Sequence, residues 1–174
     1  MGSFGNDCIV RPTSWFFNSY THLFLESVAP EDGVLTSACI YINTIASNGK
    51  IKVFRINGLN YDFVGESPLQ LFSVGLNTIT GLNISIKTGD ILAAWNASRV
   101  MRTISALGNT YTHAGDVTTN TLISSWGFEG NMLFSVGAEY ILPPQLLVLG
   151  MSPSRSTGAS VSGGIGCGKG KKRR

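Results

Sequence analysis

The sequence predicts an all-β fold: an antiparallel β-sandwich, jelly-roll-like, followed by an extended C-terminal arm and tail. Three observations predict it. Short stretches of β-branched and aromatic residues alternate with polar ones, and clusters of Gly, Asn, Asp, Ser and Pro punctuate them. Charged residues are only 13% of the 174, against 43% hydrophobic and with 21 Gly, unlike the Glu-, Lys- and Ala-rich surface of a helical bundle. No stretch reads convincingly as a helix, and no unit recurs at the fixed period of a propeller or solenoid.

Taken in order, Trp15 to Val28 reads as one strand with a bend. Val34 to Thr44 is a second, ended by the turn signal Ser47-Asn48-Gly49. Lys50 to Ile56 alternates, with Ile51, Val53 and Ile56 flanking Lys52 and Arg55. Asn57-Gly58 marks a hairpin turn into Tyr61 to Val64, which Gly65 and Ser67-Pro68 close. Leu69 to Val74 stays apolar up to Gly75. Thr78 to Ile86 alternates Ile79, Leu82, Ile84 and Ile86, with Gly81 placed as a bulge. Thr88-Gly89-Asp90 turns the chain into Ile91 to Trp95. Val100 to Leu107, Thr121 to Phe128 and Met132 to Leu142 complete the set, with turns at Gly108-Asn109 and Glu129-Gly130-Asn131. Val53, Phe54, Ile84, Ile91 and Phe134 are the expected core. Val53 and Phe54 are neighbours and must face opposite sides. Burying both requires a second covered face, which the sequence reading gives to a partner protomer.

From Pro143 the texture changes. Residues 1–142 form the sandwich, 143–151 an extended apolar arm, and 152–174 a Gly/Ser-rich linker with a basic end. Pro143 and Pro144 cannot donate ladder hydrogen bonds. Leu146, Leu147, Val148 and Leu149 then need a neighbouring chain to cover them. Charge divides at the same place: residues 1–150 carry a net −3, and the last 24 carry +6. Lys169, Lys171, Lys172, Arg173 and Arg174 form a flexible basic end suited to weak electrostatic contact with nucleic acid or an acidic surface.

The sequence offers little from which to build a catalytic centre. Its only histidines are His22 and His113. His113 precedes Asp116 by three residues, but no nucleophile elbow or second acid–base cluster accompanies the pair. Gly163 to Lys169 approaches a phosphate-binding loop, yet has Gly170 where a hydroxyl is needed and no strand–helix context. The cysteines, Cys8, Cys39 and Cys167, lack metal-ligand spacing. Cys39 sits in an apolar run and reads as a small buried hydrophobe. Cys8 and Cys167 are left free or joined. Asn83-Ile84-Ser85 and Asn96-Ala97-Ser98 are read as chance sequons. Trp95 and Trp126 read as core or interface. Tyr61 and Tyr111, beside turns, together with His113 are the candidate ligand surface. The reading is of a non-enzyme with no cofactor and no metal. There is no signal-peptide pattern, and the apolar stretch Tyr140 to Met151 is too short and too interrupted to span a membrane.

One region carries a resemblance. Asp32-Gly33-Val34-Leu35-Thr36, Lys52-Val53-Phe54-Arg55, Phe63-Val64-Gly65, Gly75-Leu76-Asn77-Thr78 and Ile86-Lys87-Thr88-Gly89-Asp90-Ile91-Leu92 are similar to β-sandwich modules of phage tail fibres, virion spikes and bacterial surface proteins. The last segment also resembles the strand–Gly-Asp–strand turn of trimeric jelly rolls of the tumour-necrosis-factor and complement-head type. The resemblance implies a structural or adhesive module of a virion, and the absence of a signal-peptide pattern adds the expectation that it is made in the host cytoplasm. It also implies a homo-oligomer, with a trimer favoured, in contact with other virion proteins. Two alternatives stand beside it. One is a carbohydrate-binding sandwich of a cell surface, contacting a glycan. The other is a jelly-roll capsid protein whose basic tail contacts nucleic acid.

Overall fold

The computed structural model describes residues 1–11, 13–15, 19–97 and 101–143. Among these residues the chain is an all-β antiparallel sandwich of thirteen strands. They are β1 (Gly2–Gly5), β2 (Thr13–Trp15), β3 (Tyr20–Val28), β4 (Gly33–Ile42), β5 (Ser47–Asn57), β6 (Asn60–Glu66), β7 (Gln70–Phe72), β8 (Gly75–Ile86), β9 (Ile91–Asn96), β10 (Met101–Ala114), β11 (Thr121–Leu122), β12 (Gly127–Phe134) and β13 (Val136–Ile141). A short 3-10 turn, Ile123–Ser125, interrupts them.

One layer runs β1-β13-β4-β8, and the other β12-β10-β3-β9-β5-β6-β11, with β2 added on β10 and β7 on β5. The pair Met101–Ile42 joins the two layers into one hydrogen-bonded path. Period-two alternation decides which side chains meet between them. Leu35, Ala38, Ile40 and Ile42 of β4, and Ile79, Leu82, Ile84 and Ile86 of β8, face Ile51 and Val53 of β5, Leu92 and Ala94 of β9, and Phe134 of β12.

A second, smaller core lies on the outer face of the second layer. Leu23, Phe54, Tyr61, Ile91 and Ala93 pack there under Val117 and Trp126, from the connection between β10 and β12. Val53 and Phe54 are both fully buried, one in each core. The covering layer is the chain's own 115–126 segment and not the partner protomer expected from the sequence. This explains why β9 reads as a continuous apolar run: it is covered on both faces.

Several turn signals have a different physical meaning from the one expected. Ser47-Asn48-Gly49 is extended and opens β5. At Gly49 a Cβ would collide with the Phe72 ring and lie 2.7 Å from the Trp95 carbonyl oxygen, so close approach selects this glycine. Gly108-Asn109 lies inside β10, where a Cβ on Gly108 would sit 2.6 Å from the Met132 carbonyl oxygen. Gly130 lies inside β12 with φ +124°, at a register shift against β10. Thr121 to Phe128 is no continuous strand, because the 3-10 turn breaks it.

Other expectations hold. Gly58 (φ +59°) and Leu59 make the two-residue hairpin loop between β5 and β6. Gly81 (φ +72°) lies where the β4–β8 register jumps, the mark of a bulge. The Lys87–Asp90 turn is clamped by the buried Asp90, whose carboxylate accepts 2.7 Å hydrogen bonds from Arg55 Nε and Nη2 and one of 2.8 Å from the Lys87 amide. Cys39 is not a buried hydrophobe. Alternation along β4 points Ala38 and Ile40 inward and Cys39 outward, and Cys39 forms a disulfide with Cys8. The arm residues Leu146, Leu147, Val148 and Leu149, the phosphate-loop-like segment and Cys167 lie outside the described residues, as do Lys169 and Lys171 to Arg174.

Candidate functional site

The three candidate ligand residues come together around Trp126, an arrangement set by strand pairing. Tyr111 and His113 are two apart on β10 and share its outer face. Tyr61 reaches the same region from β6, opposite Thr121 of β11. The 3-10 turn sends the chain back over the sheet: Ser125 Oγ donates to the Leu122 carbonyl (2.6 Å), and the Trp126 amide donates to the Ile123 carbonyl (3.1 Å). Trp126 thereby lands 5.4 Å from Tyr61, 5.5 Å from Phe54 and 5.3 Å from His113, ring centre to ring centre. Its Nε1 donates to Thr121 Oγ1 at 2.8 Å.

Burial then divides the group. Tyr61 lies beneath the cluster at 3% exposure and is not the exposed contact that its position beside a turn suggested. Burial raises its phenol pKa, with a smaller contribution from Tyr111. Tyr111 and His113 stay half-buried. Phe128, 56% exposed and 5.4 Å from Tyr111, extends the surface. Sequence reasoning passed over Phe128 because it ended an expected strand. Its pairing with Tyr111 across β10–β12 is what brings it here. Tyr111, His113 and Phe128 therefore form a half-exposed aromatic rim over a rigid Trp126 floor, able to stack against a flat apolar ligand face.

The His113–Asp116 pair does not form a general base. His113 Nδ1 lies 2.9 Å from the Ala114 carbonyl oxygen. Asp116 is held by two lysines: Lys50 Nζ donates to Oδ2 at 2.8 Å, and Lys52 Nζ lies 2.5 Å from Oδ1. Glu66 completes the group, accepting from Lys50 at 2.7 Å and also pairing with Lys52. Lys52, with a side chain 0% exposed, also donates to the Val117 carbonyl (3.0 Å). Burial pushes the Asp116 pKa up, but the hydrogen bonds and charges of both lysines outweigh it and hold the carboxyl low. For Lys50, burial is likewise outweighed, by Asp116 and Glu66, and its pKa rises. Two cations and two carboxylates cancel, and the cage fastens the 115–117 segment to β5 and β6. Its chemistry is structural.

A hollow of about 420 Å³ opens between the N-terminal segment and the outer face of the first layer, lined by Asp7, Ser37, Thr78, Glu139 and the Cys8–Cys39 disulfide. Ser37 Oγ donates to Glu139 Oε2 at 2.8 Å across its floor. Among the described residues no group of three or more His, Cys, Asp or Glu side chains is placed to hold a metal ion. No helix among them is long and apolar enough to cross a membrane. No protein-family model, curated protein or solved structure matches the chain.

Proposed function

We propose that this chain is a non-enzymatic structural and adhesive module of a virus or phage particle, a β-sandwich that works as a homo-oligomer. One observation carries the reading. Ile45, Leu69, Leu71, Val74 and Leu76 are all exposed, on the segments that meet at one end of the sandwich. Leu71 pairs with Asn48 close to Ile45, and Leu76 pairs with Tyr41. Asn77 pins the intervening loop by accepting from the Ser73 amide and donating to its carbonyl, both at 2.8 Å. A rim of large apolar side chains on ordered backbone is what a protein–protein contact uses. Two features support it. Lys50, Lys52 and Arg55, the three cations of β5, are each neutralised, the lysines in the cage and Arg55 by Asp90. The Cys8–Cys39 disulfide suits an oxidising setting, such as the exterior of a particle. Sedimentation equilibrium of the full chain over a wide concentration range tests the reading. A stable multiple of the chain mass is expected, and a monomer at every concentration overturns it.

The aromatic rim of Tyr111, His113 and Phe128 favours a second reading, a carbohydrate-binding sandwich. A glycan array probed with wild type and Phe128→Ala tests it. Binding that the substitution removes supports it, and no bound glycan ends it.

A further inference from the structure

The two ends of the first layer differ. At one end β1 is four residues long. At the other, β8 runs for twelve residues and, among the described residues, pairs only with β4. One row of its amides and carbonyls therefore has no ladder partner. Proteins blunt such edges with charged residues, proline, bulges or short length. From Gly75 to Ile86 there is no charged residue and no proline. The bulge at Gly81 interrupts only the second half, and Leu76 to Thr80 pair with Tyr41 to Ser37 without a break. The contrast with β12, which among the described residues also has a single ladder partner, is direct: it carries Glu129 and register shifts against β10. On β8 the side chains Leu76, Thr78 and Thr80 stand exposed on the outer face.

We infer that the Gly75–Thr80 edge of β8 pairs antiparallel with the same edge of a second copy of this chain. The inference rests on the homo-oligomer reading and names its interface. An extended edge requires an extended partner, because only a strand returns a hydrogen bond to every unpaired amide and carbonyl. A second copy fits because a two-fold contact sets like against like. An uncharged edge does so without repulsion, and threonine pairs well with threonine across antiparallel strands. Centring the axis on Thr78 sets Thr78 against its own copy and Leu76 against Thr80. It also carries the apolar rim at Val74 and Leu76 over the partner. The contact is isologous, so it yields a dimer or an even-numbered assembly in place of the trimer that the resemblance implies.

The test uses the full chain with Thr78→Lys, which sets two ammonium groups at the axis, and Thr78→Val as the uncharged control. Sedimentation equilibrium gives the dissociation constant, and circular dichroism checks the fold. Thr78→Lys is expected to raise the constant at least tenfold, with Thr78→Val close to wild type. An oligomer that tolerates Thr78→Lys overturns the β8 inference and leaves the homo-oligomer reading standing. A wild type that is monomeric throughout overturns both. Hydrogen exchange of wild-type β8 amides guards against a variant that fails to fold. Protection of residues 75–80 that grows with protein concentration supports the edge, and protection independent of concentration in an oligomeric sample refutes it.

Discussion

Replacing Lys52 by Met tests whether the charge cage holds the second core in place. The substitution keeps an unbranched side chain of similar length and removes the cation. Glu66 and Asp116 are then left facing Lys50 alone. Removing one partner of a buried ion pair costs about 3–5 kcal/mol, because the remaining charge is stranded. Here the two carboxylates are 24% and 28% exposed, so water recovers part of that loss, and the lower end, about 3 kcal/mol at pH 7, is expected. For a domain of this size that corresponds to a Tm lower by about 6–12 °C. The sign of its pH dependence follows from Asp116. Its pKa is held low in the folded state, so it contributes stability above the unfolded value that is lost as pH falls through the folded one. Lys52→Met relieves that depression, and the gap to wild type should narrow as pH falls below the ordinary carboxyl value of 3.8. Urea unfolding at pH 7 and about pH 3 measures both effects. A variant as stable as wild type at pH 7, or a gap that widens in acid, refutes this account of the cage.

His22 is fully buried, and burial pushes its pKa down to about 3. Its unfolded form takes up a proton below about pH 6.5, so stability should fall by about 1.4 kcal/mol per pH unit from there toward acid. Stability curves between pH 6.5 and 4.5 check this, with His22→Gln expected to be flatter. Gly49→Ala forces a methyl group against Phe72 and the Trp95 carbonyl, and should cost about 1–3 kcal/mol in a thermal melt. Paired Cys8→Ser and Cys39→Ser substitutions open a cross-link between residues 31 apart, with an expected loss of about 3–4 kcal/mol in denaturant titrations. Ile91→Ala should cost about 2–5 kcal/mol, because Ile91 is buried in the second core. A loss near zero would mean that the second core contributes little.

Alternation made much of the sandwich legible. Ile79, Leu82, Ile84 and Ile86 declare both the strand β8 and its inward face. Gly58, Gly81 and Gly89 announce positions of positive φ that the backbone does adopt. What misled was glycine used for closeness. Gly49 and Gly108 lie in strands where a neighbour presses on the missing side chain, and that neighbour is distant in sequence. The disulfide was hidden for a similar reason. An apolar run around Cys39 says nothing about which face a residue takes until the strand's phase is set by its partners. The aromatic cluster was half legible: Tyr111 and His113 share a face by spacing alone. Phe128 and Trp126 reach them only through the β10–β12 pairing and a 3-10 turn that no local motif signals.

The pairing of β1 with β13 sets how the sandwich responds to mechanical load. Gly2 lies opposite Tyr140 and Gly5 opposite Gly137, so the two ends of the sandwich leave side by side from one corner. Tension drawn through both ends pulls across the ladder, and opens its hydrogen bonds one after another as in a zipper. Strands loaded lengthwise would break all their bonds together. The β1–β13 ladder is therefore the weak direction, with four residue pairs to release. The release of the N-terminal segment stops at Cys8, whose sulfur is bonded to β4, the strand between β13 and β8. Beyond that point the pull passes through a covalent bond into the interior of the first layer. A short peel followed by an abrupt stiffening is the expected force response, and under reducing conditions the stiffening disappears.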